Sequence, residues 1–244
     1  MTPKRNSDWQ TPELTRTFLE GVRGAIPGAD LQLEVIGKMV QRWAPDTTAI
    51  LDLGCGNGIL GRFLLERFPA AHGVFVDFSD PMLEAVRKSV TDTSRTQVLK
   101  ADFSTPQWRD VLGDAPPFDV VLSGFAIHHQ PNRRKHELYA EILDILTPGG
   151  LFLNLEHVAS ATEAGEALFE DFFVDNLYEY HRRSDPKAER EAVAEAYYNR
   201  PDKNENILAP VERQCEWLRA VGFADVDCFF KLFELALFGG RKTR

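Results

Sequence analysis

From Ala49 to Leu155, short apolar runs alternate with segments whose apolar residues return every three or four positions. That is the pattern of strands alternating with amphipathic helices. The runs Ile50–Leu53, His72–Val76, Gln97–Ala101, Phe118–Ser123 and Leu151–Leu155 read as strands. Ile59, Leu60, Phe63, Leu64 and Phe68 form one helical stripe, and Asp80-Pro81 reads as a cap and first-turn proline opening a second with Met82, Leu83 and Val86. Short connections in this alternation predict parallel strands joined by right-handed crossovers. Upstream, Leu31, Val35, Ile36, Met39 and Val40 predict a helix, and Trp9 to Ile26 a flap over whatever the sheet binds.

After Leu155 the rhythm breaks. Ser160-Ala161-Thr162-Glu163 reads as a capping box, and Asp185-Pro186 as the opening of a second helix that stops before Pro201. Phe169, Phe173, Leu177 and Tyr180 fall at helical spacing and face a core or a pocket. Leu208 to Gly222 reads as an amphipathic helix ending at its glycine, and Val226–Phe230 with Phe233–Phe238 as an antiparallel pair. The organisation expected is one domain: an N-terminal helical flap (1–45), a binding core (46–158), a helical substrate cap (159–207), and a final helix and hairpin (208–244).

The chain's 244 residues, 43% of them hydrophobic, are enough for one substantial core. No apolar run approaches the ~20 residues needed to span a bilayer, and Met1–Asn6 is polar, so the expectation is a cytoplasmic protein with no membrane partner. Cys55, Cys215 and Cys228 are too scattered for a disulfide framework or zinc site and read as buried small residues. A net charge of −9 argues against a nucleic-acid partner, since phosphate binding needs a basic surface. Between Ala159 and Asn206, twelve acidic residues face six Lys or Arg, so much of the excess negative charge lies in the cap. The basic cluster Arg133-Arg134-Lys135 is expected on the solvated face of a helix start. Oligomeric state is open, with a homodimer compatible.

The chemistry begins at Ile50-Leu51-Asp52-Leu53-Gly54-Cys55-Gly56-Asn57-Gly58, an apolar strand running into three glycines set two apart. Glycine permits both the positive φ of a tight strand-to-helix turn and close approach of a ligand. Dinucleotide folds use G-x-G-x-x-G, but here Ile59 holds the third glycine's place, which argues against a pyrophosphate cofactor. Asp77, ending the second strand, can accept both hydroxyls of a ribose, and Asp102-Phe103 offers an acceptor and an aromatic wall to an adenine.

In this order, LDLGCGNG, VDFSDPML, KADFS, FDVVLSGFAIHH and LTPGGLFLNLEHV resemble the class I S-adenosylmethionine-dependent methyltransferases over residues 46 to 158. The resemblance implies an α/β, Rossmann-like, seven-stranded mixed sheet with one antiparallel strand, helices on both faces, and a helical insertion before the last helix. It implies S-adenosylmethionine as cofactor, with Asp77 on the ribose, Asp102 on adenine, Gly54 and Gly56 in close approach, and Ser123 near the methionine moiety. Asp52, Asn57, Phe78, Met82 and Phe103 complete the expected cofactor set.

Methyl transfer is largely a matter of positioning and desolvation, so a base is needed only where the acceptor carries a proton. His129 and His157, after the fourth and fifth strands, are the candidate catalytic residues, with His128 expected to be structural. Glu156, Tyr198 and Arg200 are the candidate substrate contacts, and no metal is expected because adjacent histidines lack the i,i+4 spacing of helical ligand pairs. The leading reading is in-line methyl transfer to a small-molecule acceptor. The alternatives are an enzyme resembling carboxy-S-adenosylmethionine synthases, in which Arg200 holds a carboxylate, and a non-catalytic binding module.

Overall fold

The computed structural model describes residues 23–200, 203 and 205–244. Most of the expected flap, Trp9 to Ile26, lies outside them; of it, Arg23–Ala25 forms a single helical turn. Helix α1 (Ala29–Trp43) leads into β1 (Ala49–Leu53), α2 (Ile59–Arg67), β2 (His72–Asp77), α3 (Asp80–Ser89), β3 (Thr96–Lys100) and β4 (Phe118–Gly124). Helix α4 (Asn132–Ile145), β5 (Leu146–His157), α5 (Glu163–Ser184), α6 (Arg190–Tyr198), α7 (Val211–Val221), β6 (Ala224–Leu232) and β7 (Leu235–Arg241) follow. The seven strands lie in the order β3-β2-β1-β4-β5-β7-β6. Only β7 runs against its neighbours. Strand order reverses between β1 and β4, and in such sheets ligands bind beyond the carboxyl ends of the strands at that switch point.

Alternation along the strands divides the core in two. Leu51, Leu53, Val121 and Phe152 face α4 and α7, packing on Leu138, Tyr139, Ile142 and Leu218. Ile50, Phe75, Val120 and Leu153 face the other way, onto Ile36 and Val40 of α1 and Leu60 and Leu64 of α2. Helix α1 is therefore a layer of the sheet's own core rather than part of a flap. A third cluster, Phe169, Phe173, Val174, Leu177 and Tyr197 with Leu235, joins α5 and α6 to the end of the β6–β7 hairpin.

Several boundaries differ from the sequence expectation, each for a local reason. Ser79 rather than Asp80 caps α3, and Thr162 rather than Ser160 caps α5 by accepting the Gly165 amide. Asp185 does not open α6; its carboxylate accepts the Lys187 amide at 3.0 Å in a turn of its own, and the helix begins at Arg190. Helix α7 starts at Val211, after Pro210, and β5 takes in the turn Thr147–Gly150 by pairing from Leu146.

The basic cluster differs most. Only Arg133 is on the solvated face, whereas Arg134 and Lys135 are buried. Arg134 grips Glu141 with two bonds of 2.6 Å and donates from Nε to the Phe103 carbonyl at 2.9 Å, while Trp108 Nε1 donates to Glu141 at 2.7 Å. Both charges of this pair are thus satisfied, and the loop after β3 is tied to α4. Removing one partner strands the other charge in the interior. Glu141→Ala is expected to cost about 3–5 kcal/mol in urea unfolding, and the double replacement Arg134→Met with Glu141→Leu markedly less, because no lone charge remains.

Candidate active site at the carboxyl ends of the strands

The turn after β1 runs through left-handed backbone at Gly54, Gly56 and Gly58. The Gly54 and Cys55 amides donate to the Val76 carbonyl at 2.8 and 3.0 Å, stitching the turn to β2. Asp52, almost fully buried, accepts the Gly61 amide at 2.8 Å and so anchors the first turn of α2. Asp77 accepts the Gly56 amide on one oxygen and the Ser79 amide on the other, both at 2.9 Å. Burial pushes the Asp77 carboxyl up to about 6, against the pull of the Ser79, Gly56 and Phe78 amides.

The two critical glycines serve different ends. A Cβ on Gly54 would lie 2.4 Å from that of Ala126 and 3.1 Å from the Phe103 ring, so protein packing already fills that space. A Cβ on Gly56 would meet only Met82 Sδ, at 4.0 Å. The open face of the turn is therefore at Gly56, bordered by Met82, with Asn57 and Phe78 half-buried nearby in sequence. Asp102 is exposed and its Oδ1 accepts the Ser104 amide at 2.8 Å. Phe103 is buried, with its carbonyl held by Arg134. Ser123 is fully buried, and its hydroxyl donates to the Leu53 carbonyl at 2.8 Å, linking β4 to β1 rather than facing outward.

Beyond β4 the chain passes through Phe125, whose φ of 51° is left-handed and whose amide donates to the Leu155 carbonyl at 2.7 Å. Its side chain packs against both the sheet core and the cap cluster. The following turn brings His128 onto Glu156: the His128 amide meets one carboxylate oxygen at 2.9 Å, and Nδ1 the other at 2.5 Å. Glu156 also accepts the His157 amide at 2.9 Å and is fully buried, so this expected substrate contact is an internal brace. Burial raises its carboxyl to about 7, opposed by the His157 amide and by the charges of Lys135, His129 and His157. Burial likewise drives His128 well below the usual histidine range.

His129 is half-buried, its ring 4.0 Å from that of His128, with Nδ1 3.4 Å from the Glu205 carbonyl. His157 lies 6.0 Å from His128, ring to ring, and 5.5 Å from Phe169 of the cap. Its Nε2 is 2.7 Å from Glu234 in the β6–β7 turn. The structure thus gathers His128, His129, Glu156 and His157 at one rim. Tyr198 faces outward, 41% exposed. It is Tyr197 that turns into the cap cluster, with the Arg200 guanidinium 4.2 Å over its ring and donating to its carbonyl.

Lys135, Glu234 and Phe125 were not among the sequence candidates. Lys135 is fully buried, with Nζ on Asn132 Oδ1 and on the Ile207 carbonyl, and burial lowers it to about 8 against the pull of Glu156. It ties the stretch after the cap to α4. Nothing local marks a lysine in a basic run as buried, or a glutamate in a hairpin turn as inward. The one usable hint was the apolar company of Glu234 between Phe233 and Leu235.

A depression of about 1010 Å³ lies elsewhere, lined by Glu34, Lys38, Asp46, Arg67 and Pro69 at the amino ends of the strands. It contains none of the converging histidines, so the chemistry assigns the site to the opposite rim. Among the described residues no group of three His, Cys, Asp or Glu side chains is arranged to hold a metal ion, and no helix is long and apolar enough to cross a membrane.

Residues 50–150 match the model of a methyltransferase domain family. The chain is 26% identical over 235 residues to a carboxy-S-adenosyl-L-methionine synthase of Pseudomonas putida (strain GB-1), covering 92% of this chain and 88% of that protein. In structure it is similar to an O-methyltransferase family protein from Burkholderia thailandensis (18% identity, TM-score 0.60, 88% of this chain and 58% of that one). It is also similar to human N-acetylserotonin methyltransferase in complex with SAM (15% identity, TM-score 0.52, 96% and 54%). The chain thus spans under two thirds of the length of either structure, and at these identities the likeness concerns the fold. The domain match thus covers the glycine turn, Asp77 and the rim after β4, on a sheet with the strand order expected of the class I S-adenosylmethionine-dependent methyltransferases that this chain resembles.

Proposed function

We propose that this enzyme methylates a small-molecule acceptor in the cytoplasm, with the acceptor bound between the rim histidines and the helical cap. The observation that carries the reading is the cap itself: α5 and α6 close over the rim through buried Phe169, Phe173 and Tyr197, with Phe169 against His157. Such a cover suits a compact molecule better than a polymer, and the net charge of −9 disfavours nucleic acid. Free cysteines at 55, 215 and 228 suit a reducing compartment.

The residues fit the cofactor. Space in front of Gly56 takes a nucleoside where a side chain would intrude, and each Asp77 oxygen that holds an amide keeps a lone pair for a ribose hydroxyl. Met82 and Phe103 supply apolar walls and Asp102 an acceptor for the base. Bound there, S-adenosylmethionine supplies an electrophilic methyl group on a sulfonium. The chain's own part is to align the acceptor, exclude water under the cap, and take a proton on His129 or His157 where the acceptor carries one.

One observation favours a second reading. The likeness to the carboxy-S-adenosyl-L-methionine synthase extends over 92% of the chain, cap included. In that reading Arg200, stacked on Tyr197, binds a carboxylate on the cofactor itself. Intact-mass analysis of the nucleoside that copurifies discriminates: a carboxylated sulfonium supports the second reading, and unmodified S-adenosylmethionine or S-adenosylhomocysteine the first.

Two outcomes are expected. S-adenosylhomocysteine binds by calorimetry and NAD does not; its affinity falls as pH drops through about 6, where protonated Asp77 becomes a weaker acceptor. Asp77→Asn flattens that pH dependence and weakens binding by about 1.5–3 kcal/mol; a folded variant with wild-type affinity overturns the assignment. In a screen of amines, thiols, phenols and carboxylates read by cofactor consumption, His129→Ala or His157→Ala lowers turnover by about 10² or more with little change in cofactor affinity. Wild-type turnover in both leaves positioning and desolvation as the whole mechanism.

A further inference from the structure

The β6–β7 connection is a two-residue turn, Phe233-Glu234, between the paired residues Leu232 and Leu235. Turn residues of such hairpins ordinarily face water, yet Glu234 is only 3% exposed. Phe233 carries the strain of this arrangement, a left-handed φ of 50° in a bulky residue, and is held by its ring against Phe172 at 5.2 Å. A positive φ at the first turn position is what a two-residue hairpin requires; the carboxylate turned inward is the departure that calls for an explanation. Every acceptor of Glu234 is engaged at the end of β5: its carbonyl takes the Val158 amide at 2.8 Å, one carboxylate oxygen takes Ser160 Oγ, and the other lies 2.7 Å from His157 Nε2.

We propose that Glu234 is a positioning residue for His157, fixing its proton on Nε2 so that Nδ1 is the atom that accepts the proton of the methyl acceptor. The inference rests on the methyl-transfer reading above. An ionised carboxylate only accepts hydrogen bonds, so the neutral imidazole that meets it at Nε2 must donate there and leave Nδ1 unprotonated. In the reaction the acceptor's proton moves to Nδ1, its lone pair takes the methyl, and the electron pair of the broken carbon–sulfur bond stays on sulfur. The imidazolium so formed keeps Nε2–H on Glu234, whose negative charge stabilises it.

The electrostatic setting of His157 also includes Glu156 on its own strand, His128 and His129 after β4, Lys135 of α4 acting through Glu156, and Arg200 and Glu170 of the cap near Tyr197. None of these side chains is replaced in the Glu234 variants.

The test has two parts. Long-range ¹H–¹⁵N spectra of the ligand-free, histidine-labelled enzyme above pH 8, with His157 assigned by its Ala variant, are expected to give the Nε2–H tautomer. An Nδ1–H tautomer overturns the proposal without reference to any acceptor. With an acceptor from the screen, Glu234→Gln is expected to lower kcat at least tenfold and to move the acid limb of the kcat–pH profile to lower pH, since a negative neighbour of the base is lost. S-adenosylhomocysteine affinity should stay within about twofold, and Glu234→Asp should recover part of the rate. An unmoved acid limb at wild-type kcat overturns the proposal, as does a loss confined to folding that Glu234→Asp shares. Failure of S-adenosylhomocysteine to bind the wild type would instead defeat the cofactor reading on which it stands.

Discussion

Two buried carboxylates at the ends of β1 and β2 hold the turn on which this molecule's chemistry depends. Asp52 grips the Gly61 amide and Asp77 the Gly56 amide, while the Val76 carbonyl takes the amides of Gly54 and Cys55. The backbone between them must follow left-handed φ values at three positions, which glycine tolerates and other residues resist. Because both carboxylates sit on central parallel strands, the turn inherits the rigidity of a sheet packed on both faces. What remains open is the space in front of Gly56, beside a backbone fixed on both sides, and a surface held in place beforehand loses little chain entropy on binding.

A second constraint governs the rim. Glu156 is fully buried and can remain so only because the amides of His128 and His157 and the His128 ring all reach it, with Lys135 nearby. A buried polar group left unmatched is destabilising, so these partners make β5, the turn after β4, and α4 interdependent. Lys135 extends the dependence to the Ile207 carbonyl, and the Ile207 amide donates in turn to the His128 carbonyl. The chain leaving the cap is thus fastened directly above the histidines. Arg134 does the same after β3, joining α4 to the Phe103 carbonyl. Helix α4 therefore supports both halves of the site, one through Arg134 and the other through Lys135.

The cap packs as a small core of its own and meets the sheet through few residues. Phe125 touches the core cluster below and the cap cluster above, and Leu235 belongs to the cap although it begins β7. This arrangement lets the cap vary while the sheet and its glycine turn stay fixed, because their hydrophobic contacts are largely separate. It is also consistent with a domain match limited to residues 50–150 beside a likeness to a synthase that extends over 92% of the chain.

The sequence by itself determined the sheet and the glycine turn that follows its first strand. Alternating apolar runs specified the strands, and the glycines after β1 and the carboxylate ending β2 are local signals, so the turn at Gly56 and the strand end at Asp77 were legible without coordinates. Tertiary structure decided the rest. It turned Arg134 and Lys135 inward because α4 needs partners for Glu141 and for the Ile207 carbonyl, which lie 7 and 72 positions away. It spent Ser123 on Leu53, made Glu156 a brace, exchanged Tyr198 for Tyr197, and brought Glu234 to His157 across 77 positions. Periodicity records which face of an element is buried, but not which distant polar group will be waiting there, and at this rim the polar partners decide which side chains remain free to act.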